Sequence, residues 1–505
     1  MPAAERFGDQ ILHRIVEIIG AKRPLRLALA IIIGLIMSAA IGLHPVWFLL
    51  WLAIGPLYLL ALKSGNLSES WLIGFLAGLG ALFPEVSYYL TLMPPPVAVV
   101  IMLLQAAGWG LALLIAVLIV SRKLGVITVF ALPCAWAGLE TLIAATSPHG
   151  TAGSLAYSQM DALPIIQIAS IGGGPAVVFT LLVPGSLMAL IAARELTAAK
   201  RTAATRIVLA FLCLVLGYGA MRMRSIKDEQ GQLVGLASID HNLKWHSATP
   251  QTDEIINLYC LAVHTVSKHG AQLVVLPERI ESGYRQKEIL PTLQRLERVA
   301  MQDHVSIVVG VAEMEDGSSS AVNVLYLLGS DGAVVKKYTK RHLVPGFEDV
   351  FTPGGSPAAV ALGGTKLGLS ICKDMDFHST GWDNAKLGAS IVAVPAWDFT
   401  VDAWLHSRMA MLRGVENGFS VVRSARDGML SVSDAAGRVY WETGLPAVMQ
   451  MRAGVARVPN GPGRTVYSMI HDAFGWGCIA AVFGMLVLPV KRKQSSAVSE
   501  VNVGV

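Results

Sequence analysis

The sequence predicts an α/β domain inserted in an all-α transmembrane bundle of eight helices, and three observations carry that expectation. Apolar residues come in long blocks, Lys and Arg recur beside those blocks at every second loop, and one stretch of ordinary polarity alternates β-rich runs with helical ones. The 505 residues are 53% hydrophobic and 15% charged, with a mean hydropathy of +0.55. That composition moves the expectation from a soluble to a membrane protein. Residues 26–222 and 469–490 are lipid-like, while 223–468 hold most of the acidic residues. The expected order is a transmembrane domain over 1–222, a water-facing domain over 223–468, and a last helix with a basic tail over 469–505.

Spans of about 18–25 apolar residues cross a hydrocarbon core of about 30 Å. They are expected near 26–43, 46–62, 70–90, 96–121, 126–145, 164–193, 205–222 and 469–490. The first reads as a span rather than a cleaved leader, since no small-residue cleavage site follows it. Arg23, Arg26, Lys63, Arg122, Lys123, Arg194, Lys200, Arg201, Arg206, Lys491, Arg492 and Lys493 fall at the two ends of the chain or in every second loop, and the alternate loops have none. Cations are retained on the cytoplasmic side, so both termini are expected inside and 223–468 outside. Arg222 and Arg224 stand against that rhythm beside the large domain.

Within that domain Leu233–Ile239, Leu273–Leu276, Val305–Val311, Val322–Leu328, Leu367–Cys372, Ile391–Val394 and Val421–Ser424 read as strands bounded by Gly, Asp or Pro. Asp253–Lys268 and Trp404–Asn417 read as helices, with Gly270 and Gly418 at their expected stops.

The net charge of +5 does not point to nucleic acid, because the cations gather beside apolar spans and no binding motif is present. Cys134, Cys213, Cys260, Cys372 and Cys478 make no CxxC or Cys/His pattern, so neither a disulfide framework nor a metal site is expected, and no cofactor. Cys260, on the apolar face of its helix, reads as packing.

Three polar positions interrupt this scheme. Glu278 follows the strand-like run ending Leu276-Pro277, where α/β folds place chemistry, although a surface ion pair with Arg279 or Lys287 is the plainer reading. Lys340 lies in the Lys-rich run KKYTKRHLVPGFE at 336–348, and most charge runs are solvated faces. Cys372 ends an apolar strand just before Lys373 and Asp374. A cation there lowers a thiol pKa and a carboxylate takes its proton, although a free Cys is often only a small core residue.

LPE, YTKRHLVPGFE and LSIC together resemble the three signatures of the carbon-nitrogen hydrolase (nitrilase) superfamily, whose triad is Glu, Lys and Cys in this chain order. With a membrane scaffold around the domain, the chain resembles the apolipoprotein N-acyltransferase family along nearly its whole length. Tyr157-Ser158-Gln159, Lys244-Trp245, the tract from His406 through Arg413, Glu416 and Arg423 to Gly428, and Thr465, Tyr467 and Asp472 also fit.

The resemblance implies a nitrilase-like αββα sandwich and acyl transfer from a phospholipid, through a Cys372 thioester, to the N-terminal amine of a diacylglyceryl-cysteine apolipoprotein. Glu278 is the implied base and Lys340 the oxyanion donor. Glu348 is expected to hold Lys340 or orient substrate, and Trp245 to line the acyl entrance; Tyr157, Lys373 and Asp374 are further supporting or substrate-contacting candidates. A monomer in the bacterial inner membrane, with its catalytic domain on the periplasmic side, is the expected setting.

The chain departs from the family pattern where Lys373-Asp374 replace Tyr-Glu, where Ala396-Trp397-Asp398-Phe399 replace Asn-Asp-Ala-Trp-Phe, and where His149-Gly150-Thr151-Ala152 replace Gly-Phe-Pro-Trp. A membrane-tethered amidase with the same triad is one alternative. A noncatalytic scaffold or transporter is another, although no charged residue clearly interrupts the centre of several spans as a transport path would, apart from Glu85 and Glu140 near span ends.

Overall fold

The computed structural model describes residues 22–226, 231–240, 250–281, 285–314, 320–444 and 451–488. Helices α1 (Arg23–Ser38), α2 (Leu49–Leu62), α3 (Leu67–Leu82), α4 (Pro95–Ser121), α5 (Ala131–Thr146), α6 (Ala169–Ala192) and α7 (Ala198–Ser225) form the N-terminal bundle. Among the described residues five helical segments are long and apolar enough to cross a membrane: Leu67–Leu92, Pro95–Ser121, Gly125–Thr146, Ala169–Ala192 and Ala198–Ser225. The expected count of eight is not reached by length. At 16 and 14 residues, α1 and α2 rise about 21–24 Å at 1.5 Å per residue, short of a core of about 30 Å.

Two expected spans are interrupted, each for a local reason. Pro84 turns Phe83–Glu85 into a 3₁₀ step before the chain resumes at Val86–Leu92. The run Gly172-Gly173-Gly174-Pro175 breaks α6, with Gly173 at φ +69°, and the Tyr467 ring fills the place a Cβ would take there. Elsewhere glycine lets helices touch: a Cβ on Gly74 would meet the Trp109 carbonyl at 2.7 Å.

In the second half, β1 (Gln232–Ile239), β2 (Leu273–Val275), β3 (Ser306–Glu313), β4 (Val322–Leu328), β5 (Val334–Thr339) and β12 (Met451–Val458) form one six-stranded sheet in the order β12-β1-β2-β3-β4-β5. The other has the order β11-β10-β9-β8-β7-β6, from β6 (Ala358–Leu362), β7 (Thr365–Leu369), β8 (Ile391–Trp397), β9 (Ser420–Arg426), β10 (Ser431–Ser433) and β11 (Val439–Glu442). Their inner faces share one core, in which Leu236, Val275, Val308 and Leu327 pack with Leu369, Ile391, Ala393 and Val422. Outside the first sheet lie α8 (Pro250–Lys268) and α9 (Gln286–Asp303), which bury Ile256, Tyr259, Val263, Leu296 and Ala300. Outside the second lie α10 (His378–Lys386) and α11 (Ala403–Asn417), followed in the chain by the apolar α12 (Ala473–Val487). This is an αββα sandwich. The trios β1-β2-β3 and β7-β8-β9 run parallel, so each sheet carries its strand ends on one edge.

Several contacts join the two halves. Arg222 donates to Gln167 Oε1 and, at 3.0 Å, to the Val415 carbonyl in α11, so its place against the charge rhythm has a structural reason. Glu416 Oε1 accepts from Gly174 N at 2.9 Å, capping α6 where the helix restarts after its break.

Candidate active site

Strand ends deliver the polar candidates to one edge. Glu278 lies just past β2, Lys340 just past β5, and Cys372 just past β7. The sheets are tied there by Glu278 N donating to the Ala396 carbonyl at 3.2 Å. Gly310 permits this approach, since a Cβ on it would lie 2.6 Å from Glu278 Cα.

Lys340 is 1% exposed, and its Nζ lies 2.7 Å from Glu278 Oε1 and 2.8 Å from Glu348 Oε2. Asn323, near the start of β4, donates one amide hydrogen to Glu278 Oε1 at 2.6 Å and the other to Glu348 Oε1 at 2.8 Å. Burial works against the Lys340 charge, but the two carboxylates more than offset it and hold the ammonium above its ordinary value. Burial likewise opposes the charge on Glu348, and Lys340, the Val344 N–H and Asn323 bring its carboxyl below the usual range.

Cys372 opens a 3₁₀ turn, Cys372–Asp376, with φ at +44°. A side chain in this left-handed region costs about 1–2 kcal/mol, so the surroundings must hold it. Its thiol donates to the Trp397 carbonyl at 3.6 Å. Burial pushes the thiol well above its ordinary range, Glu278 adds to the rise, and Lys340 and Arg423 oppose it. That direction favours the protonated thiol, so a nucleophile here needs a base.

Asp374 is fully buried and spends its carboxylate inside the turn. It accepts from Tyr338 Oη at 2.7 Å, His342 N at 2.9 Å, Ile371 N at 3.0 Å and Arg341 N at 3.1 Å. It thereby ties the Lys340 segment to the Cys372 turn. Lys373, also buried, turns towards the N-terminal half, 3.3 Å from Asp376 Oδ2 and 3.4 Å from His149 Nδ1. Tyr157 is buried at the same junction, bonded to Thr151 Oγ1 and to Arg413 Nη2. Trp245 lies outside the described residues.

Two groups of this site have no role assigned from the sequence. Asn323 carries a faint signal, a lone amide in an otherwise apolar strand. Asp398, named there only as a departure, makes a bidentate pair with Arg423, at 2.6 and 2.8 Å, behind the thiol.

Residues 233–459 match the carbon-nitrogen hydrolase family model, the class of enzyme that this sandwich and its Glu, Lys and Cys edge define. Residues 33–187 match the model of the apolipoprotein N-acyltransferase N-terminal domain. The two models together match most of the chain, which is similar along its length to the apolipoprotein N-acyltransferases and is an acyltransferase of the nitrilase superfamily. Apolipoprotein N-acyltransferase of Geobacter metallireducens is 26% identical over 510 residues, covering 92% of this chain and 95% of the relative. That of Allorhizobium ampelinum is 27% identical, covering 86% and 89%. An (R)-stereoselective amidase of Pseudomonas sp is 30% identical over 189 residues, 35% of this chain and 65% of the amidase. The family and the five long apolar helices suggest a protein of the bacterial inner membrane.

Proposed function

We propose that the enzyme moves a fatty acyl chain from a phospholipid to Cys372 and then to the N-terminal amine of a diacylglyceryl-cysteine apolipoprotein. The observation that carries this reading is the buried Lys340 ammonium, clamped between Glu278 and Glu348 at the strand edge that also bears the thiol. Glu278 Oε1 holds Lys340 and Asn323, and Oε2 is the oxygen assigned to take the thiol proton.

The thiolate attacks the ester carbonyl and Lys340 stabilises the oxyanion. The C–O bond breaks, Glu278 returns the proton to the lysophospholipid alkoxide, and a thioester remains. The acceptor amine then attacks the thioester and loses a proton to Glu278, and the departing Cys372 sulfur takes that proton. Ester and amine become alcohol and amide, and the enzyme is restored. Glu348 keeps Lys340 in place while Glu278 cycles. The proposed setting is an extracytoplasmic domain, residues 223–468, with seven spans before it and one after. Both substrates are lipids, so a site above the outer leaflet spares lifting acyl chains through water.

The test is intact mass of the purified protein after incubation with phospholipid, followed by a diacylglyceryl peptide. An acyl adduct that discharges onto the peptide supports the reading. Ammonia release from a small amide with no adduct from any phospholipid would establish the amidase alternative instead. Orientation is checked separately: a cysteine placed at Asp331 is expected to react with a membrane-impermeant thiol reagent from outside, and one at Ser495 is not.

A further inference from the structure

We propose that the loop Ser147–Thr151 of the N-terminal half positions the nucleophile turn, with His149 and Lys373 as the pair of positioning residues that carries its hold to Cys372. Three separate contacts seat the loop on the turn. Gly150, at φ +55°, approaches so closely that a Cβ would lie 2.5 Å from the Asp376 carbonyl oxygen. Thr151 donates to that same oxygen from its N–H at 3.0 Å and its hydroxyl at 2.7 Å. The Lys373 ammonium spans the junction, 3.4 Å from His149 Nδ1 and 3.3 Å from Asp376 Oδ2.

From Asp376 the polar chain runs on to the bundle. Asp376 Oδ1 lies 3.8 Å from His406 Nδ1, His406 Nε2 lies 3.2 Å from Asp402, and Asp402 accepts from Tyr88 Oη at 3.0 Å. In the other direction the Phe377 ring stacks on His342 at 3.9 Å, and His342 adjoins Lys340 through Arg341. The turn that holds Cys372 in left-handed backbone is thus gripped from the N-terminal half on one side and from the Lys340 segment on the other. Burial and the Lys373 charge pull His149 below its ordinary value, with Asp376 opposing, a direction that favours the neutral imidazole, which has one ring nitrogen able to accept. A buried ammonium needs partners, and His149 supplies one from the other half of the chain.

The inference rests on the thioester reading for the reaction assisted, so the test includes a readout that needs no acyl donor. In full-length protein carrying Cys213→Ser and Cys260→Ser, two rates are measured at neutral pH: alkylation of Cys372 by iodoacetamide, and acyl-adduct formation with phosphatidylethanolamine in mixed micelles. His149→Ala and Lys373→Met are each expected to slow both rates by about tenfold, a usual coupling within one polar network. The double variant is expected to be no slower than the slower single. His149→Gln keeps an acceptor and is expected to recover to within about twofold of the parent, since the coupled contact is retained. Gly150→Ala leaves both side chains in place, lifts the loop from the Asp376 carbonyl, and is expected to slow both rates as well. Losses that multiply in the double, no recovery with glutamine, or unchanged rates in Gly150→Ala would each overturn the proposal. A parent alkylated readily but never acylated would overturn the thioester reading, and the alkylation series would still decide this one.

Discussion

Lys340 and Lys373 are both buried lysines beside carboxylates within the same domain, and they differ in how tightly they are held. Lys340 has two carboxylate oxygens within 2.8 Å and a neighbouring amide that bonds both carboxylates, all from the catalytic domain. Lys373 has one carboxylate oxygen at 3.3 Å and a histidine of the other domain at 3.4 Å. Short charge-assisted contacts fix an atom for chemistry, whereas longer contacts across a junction hold one segment against another. In the proposed mechanism one cluster stabilises charge on a substrate and the other sets where the reacting turn sits.

The largest effect is expected at the thiol. Cys372→Ala should abolish acyl-adduct formation and turnover, while Cys260→Ala, which packs against the outer helix core, should leave both nearly intact by intact mass and peptide acylation. Equal loss from both would move the argument from chemistry to folding. Next comes the tight cluster itself. Lys340→Met should slow adduct formation by about 100-fold or more, the usual loss for one oxyanion donor, with phospholipid binding largely kept. A normal acylation rate in that variant would remove Lys340 from the mechanism.

Asn323→Leu sharpens the same side of the comparison. It takes one donor from each carboxylate, and hydrogen bonds to charged groups are worth about 1.5–3 kcal/mol. About a tenfold or greater loss in single-turnover acylation is expected, smaller than for Lys340→Met because the ammonium remains. If Asn323→Leu matched the parent, the two carboxylates would not depend on β4.

Much of this architecture is legible in the sequence, and what is not has physical causes. β1, β3 and β4 show as apolar runs because both faces are covered, by the inner core and by helices. β5 is harder to read, since Val334 to Lys337 face solvent and only Tyr338 points inward. The helix Gln286–Asp303 hides behind Pro291 in its second turn, and His378–Lys386 has too few apolar residues to show a period. The triad is visible only as three signatures taken together, because each residue alone has a plainer reading. The contact of His149 with Lys373 joins residues 224 positions apart, and no local pattern announces it. Lys373 and Asp374 are expected near the substrate because the chain departs there from the family pattern. No local pattern says where their side chains go: the left-handed turn sends the Asp374 carboxylate inward and the Lys373 ammonium to the junction with the N-terminal half.

A stability prediction tests how closely the strand edge is fitted. Gly310→Ala would set a methyl 2.6 Å from Glu278 Cα, which is backbone and has little room to move. A loss of about 1–3 kcal/mol is expected, as for other overpacked sites, and it should appear as a lower melting temperature in detergent together with slower acylation. Gly355 has nothing within 4 Å of a built Cβ, and Gly355→Ala should change stability by no more than about 0.5 kcal/mol. Equal melting temperatures for the two variants would mean that the edge tolerates displacement.

The smallest effect on rate is expected at Lys373 when both lysines are asked the same question, whether arginine can replace them. At Lys340 the space is enclosed by Glu278, Glu348 and Asn323, and the side chain is 1% exposed. A planar guanidinium is wider than an ammonium and cannot sit 2.8 Å from both carboxylates without moving one, so Lys340→Arg should be nearly as slow as Lys340→Met. At Lys373 the contacts are longer, one partner is a half-buried histidine, and the ammonium lies 5.9 Å from the centre of the Phe377 ring. A guanidinium stacks well on an aromatic face and reaches further, so Lys373→Arg should change the acylation rate by less than about threefold. The check is a single-turnover series of the two arginine variants at equal phospholipid concentration. If Lys373→Arg proved as damaging as Lys340→Arg, the junction would be as closely fitted as the catalytic cluster, and the division of labour between the two lysines would fail.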